Sequence, residues 1–246
     1  MSRLWKKAWF ATGIRSKTAE LWRGVEAQHV VSTMRLVDSV GEQRVLEELL
    51  EKSKPALPPE AAGRHYLLFT PFRYRSPFPS RFRRPADPGV WYGAEELATA
   101  CAEVAYWKWR FLMDSDALRE AAVHSEHTFF RARVRGRCAD LTAGPWKAAA
   151  RNWTDERDFS ECQAFADAAR ERDVAWIRYA AVRATNGVCG AVLKAQALSV
   201  SEPFEQQTWA CKTTSAGAWM QRAGGERYDF PAAHWTKDRH GSRSSA

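Results

Sequence analysis

Residues Gly89-Val90-Trp91-Tyr92-Gly93-Ala94-Glu95, together with those that follow up to Phe111, predict the order of secondary-structure elements most clearly. The apolar run 90–92 has the length of a strand, and Gly93 is interpreted as a turn. From Glu95 to Phe111 apolar residues recur at helical spacing, and one face carries Ala98, Cys101, Ala102, Ala105 and Trp109. The stretch therefore predicts a strand, a turn and a helix in succession.

The part of the chain after this stretch contains further strands and a helix. Residues 130–135 alternate between apolar residues and arginines, as expected of a strand with one wet face. The segment 159–169 has helical spacing. The extended runs 174–182 and 188–193 flank Asn186-Gly187, which is a strong signal for a hairpin turn. This mixed order of elements predicts an α+β fold.

The part of the chain before residue 90 is predicted to be helical first and irregular later. Apolar residues follow helical spacing within 22–37 and again within 45–50, and three prolines in 53–59 end that helix. The short apolar run 66–69 is predicted to be a strand. Five prolines between residues 71 and 88 predict a long loop.

These patterns divide the chain into three parts. Residues 1–60 are predicted to be an N-terminal helical arm, which packs on its own domain or serves as an interaction surface. Residues 61–236 are predicted to be the main domain. The polar tail, 237–246, is predicted to be disordered.

Composition and charge narrow the class of protein. The 246 residues are 45% hydrophobic and 27% charged, which is typical of a globular protein and not of a disordered or fibrous one. No apolar run has the length of a membrane span and the first residues lack the core of a secretion signal, so we expect a cytoplasmic protein without membrane contact. The net charge of +8 favours an anionic partner without identifying it.

Neither the cysteines nor the histidines are arranged as a metal site. The five cysteines are more than twenty residues apart and form no Cys-x-x-Cys pair. We therefore expect buried free cysteines, with neither a disulfide framework nor a zinc site, and we predict no metal.

An arginine-rich segment, residues 64–86, is the strongest compositional anomaly. It contains six arginines and no acidic residue, interleaved with aromatic residues. Guanidinium groups suit phosphate and diphosphate, and aromatic rings can stack on a heterocycle, so a nucleotide-binding loop is one interpretation. A solvated basic loop is the other. No glycine-rich nucleotide motif accompanies the segment.

Three blocks between residues 80 and 103 resemble, in order and spacing, the core of RES domains from toxin–antitoxin pairs. They are Ser80-Arg81-Phe82-Arg83-Arg84-Pro85, Gly89-Val90-Trp91-Tyr92-Gly93-Ala94-Glu95 and Thr99-Ala100-Cys101-Ala102-Glu103. Matching segments follow at 165–170, 177–183 and 191–193, and residues 22–58 and 67–74 resemble the longer members of the family. The resemblance covers roughly residues 20–235 and implies an ADP-ribosyltransferase-like fold, with a mixed β-sheet core and flanking helices.

The resemblance also implies an activity and the residues that carry it. The family degrades NAD by cleaving the nicotinamide–ribose bond, with water or phosphate as acceptor. The positions of its active-site tyrosine and glutamate fall on Tyr92 and Glu103. By pattern alone, these two are a half-buried strand tyrosine and a glutamate on the wet face of a helix. The arginine that the family uses falls on Arg73 or Arg75, with Arg81 as a further candidate.

One position departs from the family pattern. The family's serine falls on Ala181, which cannot donate a hydrogen bond, and Asn186 or Thr185 near the turn is the candidate substitute. The loss of one substrate contact can weaken an activity by orders of magnitude. An inactive relative that only binds NAD or an antitoxin is therefore an alternative to the enzyme.

The expected partners follow from the same resemblance. NAD is expected as a substrate, and a helix-turn-helix antitoxin of the Xre type is expected to block the pocket. A homodimer is a further alternative. A nucleic-acid-binding module is the third functional hypothesis, because the chain is basic and contains twelve tryptophans, but no recognition motif accompanies them. As a toxin, the protein would meet nucleic acid only through its antitoxin.

Overall fold

Helices and strands alternate along the residues that the structure, a computed structural model, describes: 5–27, 31–34, 36–56, 59 and 63–236. The helices are α1 (Trp9–Gly13), α2 (Val31–Met34), α3 (Val40–Ser53), α4 (Tyr66–Arg73), α5 (Leu97–Met113), α6 (Ala150–Trp153), α7 (Ser160–Arg170) and α8 (Ala233–Thr236). The strands are β1 (Ile14–Glu26), β2 (Trp91–Ala94), β3 (Val123–Asp140), β4 (Trp176–Ala180), β5 (Val188–Val192), β6 (Leu198–Val200), β7 (Gln206–Thr214), β8 (Gly217–Arg222) and β9 (Arg227–Pro231). The α+β class with a large mixed sheet is confirmed.

Strand β3 is the centre of the sheet. It pairs antiparallel with β1, β6 and β7, and parallel with β4. The pairings β1–β2–β5–β4–β3–β1 form a closed circuit, and β7, β8 and β9 extend the sheet from β3. The circuit is closed by a single residue pair between β1 and β2, Trp22 with Ala94, which brings the end of β2 next to the middle of β1.

The predicted hairpin after α7 is confirmed. β4 and β5 pair antiparallel, and Asn186 in the turn has a φ of 60°. This left-handed conformation is one that asparagine tolerates better than most residues do. The hairpin fixes the positions of residues 181–183, which follow β4.

Helices α5 and α7 pack on the sheet with small and aromatic side chains. The face predicted for α5 is confirmed for Cys101, Ala102, Ala105 and Trp109, all of which are buried. All five cysteines are free and buried, as expected of core residues.

The prediction of helix was wrong for residues 22–26. These residues belong to β1, which pairs with β3 over thirteen positions from Ile14 to Glu26. Leu21 and Trp22 are buried side by side, so β1 lacks the alternation that reveals a strand in sequence. Among the described residues of the predicted helical segment 22–37, those of α2 are helical, and the helix around 45–50 is confirmed as α3.

Two shorter predictions were also wrong. The apolar run 66–69 is part of helix α4 and not a strand, and Pro71 lies inside that helix. A four-residue apolar run fits either a buried helix or a strand, and here Leu67 and Leu68 bury against the sheet from a helix. Gly93 lies within β2 and not in a turn. The loop predicted from the prolines for residues 71–88 is confirmed for 74–88, whereas residues 71–73 belong to α4.

Two further predictions can be placed against the described part of the chain. The tail that we predicted to be disordered, 237–246, lies outside the described residues. No helix within the described ranges is both long enough and apolar enough to cross a membrane.

Candidate active site

A cavity of about 600 Å³ opens between β1, β2, α5 and the arginine-rich loop. A cavity of this size is typical of small-molecule and cofactor sites. Its wall combines a few charged groups with aromatic rings. The lining includes Arg23, Arg81, Tyr92, Glu103, Trp107, Lys108, Phe111, His127 and Arg183.

Tyr92, on β2, lines the cavity and holds the arginine-rich loop in place. Its hydroxyl lies 2.8 Å from Ser80 Oγ and accepts a hydrogen bond of 3.0 Å from the backbone N–H of Phe82. Burial raises the pKa of Tyr92, so the phenol is neutral at physiological pH. The tyrosine thus fixes the residues on either side of Arg81.

Glu103 projects from the middle of α5 into the same cavity and is half-buried. The backbone N–H groups of Val182 and Arg183, which follow β4, face its carboxylate and favour its charged form. Burial raises the pKa of Glu103 above its ordinary value, although the charges of Arg183 and Arg81 act in the opposite direction. A carboxylate held in this way can stabilise positive charge that develops on a bound ligand.

Arg81 is the arginine of the basic loop that reaches the cavity. Its Nη1 donates to the backbone carbonyls of Trp153 at 2.9 Å and Asp155 at 2.8 Å, and the guanidinium lies 4.8 Å from the centre of the Phe159 ring. Among the described residues no carboxylate lies within ion-pair distance of Arg81. Its charge is therefore available to an anionic ligand.

Arg23, on β1, is a cavity residue that sequence reasoning missed. Its Nη1 donates to the carbonyl of Tyr92 at 2.8 Å, and its guanidinium lies 5.5 Å from the centre of the Trp91 ring. Its Nε is buried without a hydrogen-bond partner in the described part of the chain. Burial lowers the pKa of Arg23 to about 10, which still leaves the group charged at neutral pH. No local pattern distinguishes this arginine, because the segment around it was predicted to be helical.

Arg183 is a second cavity residue without an assigned role in the sequence, although it ends one of the segments that resemble RES domains. Its side chain is only 5% exposed and forms an ion pair of 3.0 Å with Glu156. The guanidinium lies 3.6 Å from the centre of the Tyr106 ring. Glu156 neutralises the charge of the Arg183 side chain, and the backbone N–H of Arg183 faces the carboxylate of Glu103. We therefore interpret Arg183 as a residue that helps to position Glu103.

Aromatic and polar groups surround the charged centre. Trp107 and Phe111 are 53% and 67% exposed and extend the face of α5 that carries Glu103. Lys108 pairs with Glu26 at 2.9 Å. His127 is buried, its Nε2 lies 3.0 Å from Ser125 Oγ, and burial lowers its pKa to about 4. A neutral imidazole at this site is not a general acid at physiological pH.

The structure does not bring the other arginines of the basic loop into the cavity. Arg73, at the end of α4, donates through Nε to the carbonyl of Pro55 at 2.6 Å and lies 3.5 Å from Glu51. Arg75 is exposed and is not among the residues that line the cavity. Arg83 is buried and binds the carbonyls of Ser76 and Phe78 within its own loop. Arg83 thus stabilises its own loop, and Arg73 connects α4 to residues 51–55.

Ala181 and Asn186 also lie outside the cavity lining. The backbone N–H of Ala181 donates to the carbonyl of Gly187 at 2.8 Å, which closes the hairpin turn. Asn186 is exposed at the tip of that turn.

No group of three or more metal-binding side chains occurs within the described ranges. The described cavity lining offers the carboxylate of Glu103, the guanidinium groups of Arg23 and Arg81, and several aromatic rings.

Comparisons with known proteins give a family and a structural likeness. The model of the RES domain family matches residues 57–214, more than half of the chain. No curated protein matches the sequence. Among solved structures, the crystal structure of the M. tuberculosis MbcT-MbcA toxin-antitoxin complex is similar, with 16% sequence identity and a TM-score of 0.47. The match covers 85% of this chain and 92% of that chain.

Proposed function

Because the chain belongs to the RES domain family, we propose that it is a toxin-like enzyme that cleaves the bond between nicotinamide and ribose in NAD. Water or phosphate is the acceptor. The protein acts in the cytoplasm, and a helix-turn-helix antitoxin of the Xre type neutralises it by covering the cavity.

The observation that carries this proposal is the position of Glu103. Its carboxylate lines a cavity large enough for a nucleotide, beside two arginines, Arg23 and Arg81, that no described carboxylate neutralises. Two backbone N–H groups, of Val182 and Arg183, face the carboxylate and favour its charged form. An anionic ligand with a centre that becomes positive suits this combination of charges.

The bond changes in the proposed reaction balance without a further reactant. The C–N bond between ribose and nicotinamide breaks, and its electron pair goes to the pyridinium nitrogen, which becomes neutral. The anomeric carbon becomes electron-poor, and the carboxylate of Glu103 stabilises it and accepts a hydrogen bond from a ribose hydroxyl. An oxygen of water or phosphate then forms the new bond to the anomeric carbon, and water loses a proton in that step.

The remaining residues bind and orient the substrate in this proposal. Arg81 and Arg23 hold the diphosphate, a role for which the family resemblance suggested Arg73 or Arg75, with Arg81 as a further candidate. Tyr92 acts mainly as a positioning residue, since its hydroxyl fixes Ser80 and Phe82 on either side of Arg81. The exposed rings of Trp107 and Phe111 offer surfaces on which a base can stack.

A catalytically silent relative is the second candidate, favoured by Ala181 at the position of the family's serine. Such a protein would bind NAD or an antitoxin without turnover. Ala181 is not among the residues that line the cavity, which supports the enzyme over this alternative.

The two candidates differ in whether NAD is consumed. We expect the purified protein to release nicotinamide from NAD, and we expect chromatography to identify ADP-ribose as the second product, or its phosphate ester when phosphate is supplied. Titration calorimetry that shows NAD binding without any release would favour the silent relative. A protein that neither binds nor consumes NAD would contradict both.

A further inference from the structure

The segment from residue 34 to residue 50 exposes an unusual amount of apolar surface. Six of the twelve large apolar side chains that are exposed in the described part of the chain lie there: Met34, Leu36, Val40, Val45, Leu49 and Leu50. Val40 is 88% exposed and Leu36 75%. Exposed apolar residues clustered in this way mark an interaction site more often than scattered ones do.

Helix α3 is well capped but barely packed. Ser39 Oγ accepts from the N–H of Glu42, and Glu42 Oε2 accepts from the N–H of Asp38 at 2.9 Å, which resembles a capping box shifted by one residue. None of the helix's residues is buried. A helix of fourteen residues is marginal in water without a packed face. The cap therefore specifies a helix that still requires a partner.

The two faces of α3 differ in polarity. Val45, Leu46, Leu49 and Leu50 form one stripe, because residues four apart lie on the same side of a helix. The opposite side carries Arg44, Glu47, Glu48 and Glu51, and Glu51 pairs with Lys54 and with Arg73 of α4. The charged side is thus directed to the chain's own groups and to solvent. In the apolar stripe, Val45, Leu49 and Leu50 are exposed and Leu46 is half-buried.

We propose that a second copy of this chain covers the stripe, with the two α3 helices packed antiparallel. Glu42 lies near the beginning of the helix and Lys52 near its end, both bordering the stripe. Antiparallel packing brings Glu42 of each copy towards Lys52 of the other, whereas parallel packing brings like charges together. It also opposes the two helix dipoles.

This arrangement has two-fold symmetry. With the axis between positions 47 and 48, Leu46 lies opposite Leu49 of the second copy and Val45 lies opposite Leu50. Each contact is then made twice, as in an isologous dimer interface. Met34, Leu36 and Val40 lie close in sequence to this core and add apolar area at its ends.

The size of the stripe predicts a weak dimer. Stable interfaces bury at least about 1,200 Å² in total, and two helices that meet through four apolar residues each bury less. The dimer is therefore expected to dissociate at micromolar concentrations. The interface is separate from the cavity, so it does not depend on NAD cleavage.

Analytical ultracentrifugation of the full chain tests the proposal. The parent's mass should rise towards twice the chain mass over a roughly hundredfold concentration range around the micromolar level. Leu49→Glu, in the stripe, should weaken association at least about tenfold, because it buries a charge without a partner. Arg44→Glu, on the charged side, makes a larger charge change and should leave association unchanged.

Two results would overturn the proposal. One is a parent that stays monomeric at every concentration, which would leave an antitoxin or another region of the chain as the occupant. The other is a dimer that Leu49→Glu leaves intact. Folding of each variant is checked by its thermal melting curve, and an exposed position predicts little change.

Disulfide cross-linking tests the direction of packing, since the native cysteines are all buried. A mixture of the Leu46→Cys and Leu49→Cys variants, oxidised with glutathione disulfide, should form more cross-linked dimer than either variant alone. Cross-linking that is strongest within each variant alone would indicate parallel helices and would contradict the arrangement.

Discussion

At Glu103 two opposing effects set the ionisation of the carboxyl. Burial raises its pKa above the ordinary value of 4.5, and the nearby arginines and backbone N–H groups reduce that rise. The ionised form stabilises positive charge, so activity requires pH above the raised pKa.

The rate of nicotinamide release should therefore fall as the pH is lowered, with a midpoint above 4.5. Measurement of kcat/KM between about pH 4 and pH 8 checks this, with melting curves at each pH to exclude unfolding. A rate that stays constant down to pH 4.5 would contradict a raised pKa at the catalytic carboxylate.

Arg81 and Arg75 distinguish the cavity from the basic loop as a whole. Both belong to the segment that the sequence singles out, but Arg81 lines the cavity and Arg75 is exposed outside it. Arg81→Lys keeps the charge and loses the planar fork that binds two phosphate oxygens. We expect KM for NAD to rise about tenfold or more, on the scale of one charge-assisted hydrogen bond.

Arg75→Lys is the comparison variant, and its KM should stay within about twofold of the parent's, since exposed charges contribute little. Steady-state kinetics of the two variants under identical conditions give the answer. A larger effect at Arg75 than at Arg81 would mean that the phosphate site lies elsewhere on the loop.

The family resemblance, and not the local sequence pattern, named Glu103, Tyr92 and Arg81 as candidate site residues, and all three line the cavity. Helical spacing places Glu103 on the wet side of α5, and the cavity lies on that side. Arg23 was missed because it belongs to β1, and the helical spacing of apolar residues from position 22 onward predicted a helix there. Arg183 follows β4, and its contact with Glu103 depends on the packing of that hairpin near α5. Such contacts between distant segments leave no mark in local sequence.

Among the elements, those with strong local signals were predicted and those fixed by distant partners were not. β3 has clear alternation, and the β4–β5 hairpin has an Asn-Gly turn. β1 has neither signal, and its thirteen-residue pairing with β3 decides its conformation. Helix α4 was taken for a strand because its apolar run is too short to show a period.

Gly89, near the end of the loop 74–90, lies very close to the backbone of α4. A Cβ at this position would lie 1.7 Å from the carbonyl oxygen of Pro71, a backbone atom that cannot move aside as the end of a side chain can. Gly89→Ala should therefore destabilise the protein by about 1–3 kcal/mol. Gly41→Ala in α3, where the nearest atom would be 3.8 Å away, should instead be neutral or stabilise by up to about 1 kcal/mol.

Urea denaturation of the two alanine variants beside the parent measures both changes. If the two variants had equal stability, the close approach of the loop to α4 would be wrong.

For the whole molecule, pH should affect stability through His127. Burial lowers the pKa of His127 from 6.5 to about 4, so the unfolded chain binds this proton more readily than the folded chain does. The contribution is complete above pH 6.5 and is lost as the pH falls towards 4. The melting temperature should therefore fall across that window, and the fall should be smaller in His127→Gln.

Nuclear magnetic resonance of the histidines gives a direct check. The imidazole of His127 should remain neutral at pH 5, while exposed histidines are largely protonated there. A protonated His127 at pH 5 would contradict the burial that the structure gives it.

The measurement that tests the central claim most directly compares nicotinamide release from NAD by the parent, Glu103→Gln and Glu96→Gln. Glu96 caps the same helix but is exposed, outside the cavity and makes no side-chain capping bond. We predict that Glu103→Gln slows release by at least about a hundredfold while NAD still binds, and that Glu96→Gln matches the parent. Equal release by the parent and Glu103→Gln would contradict the account.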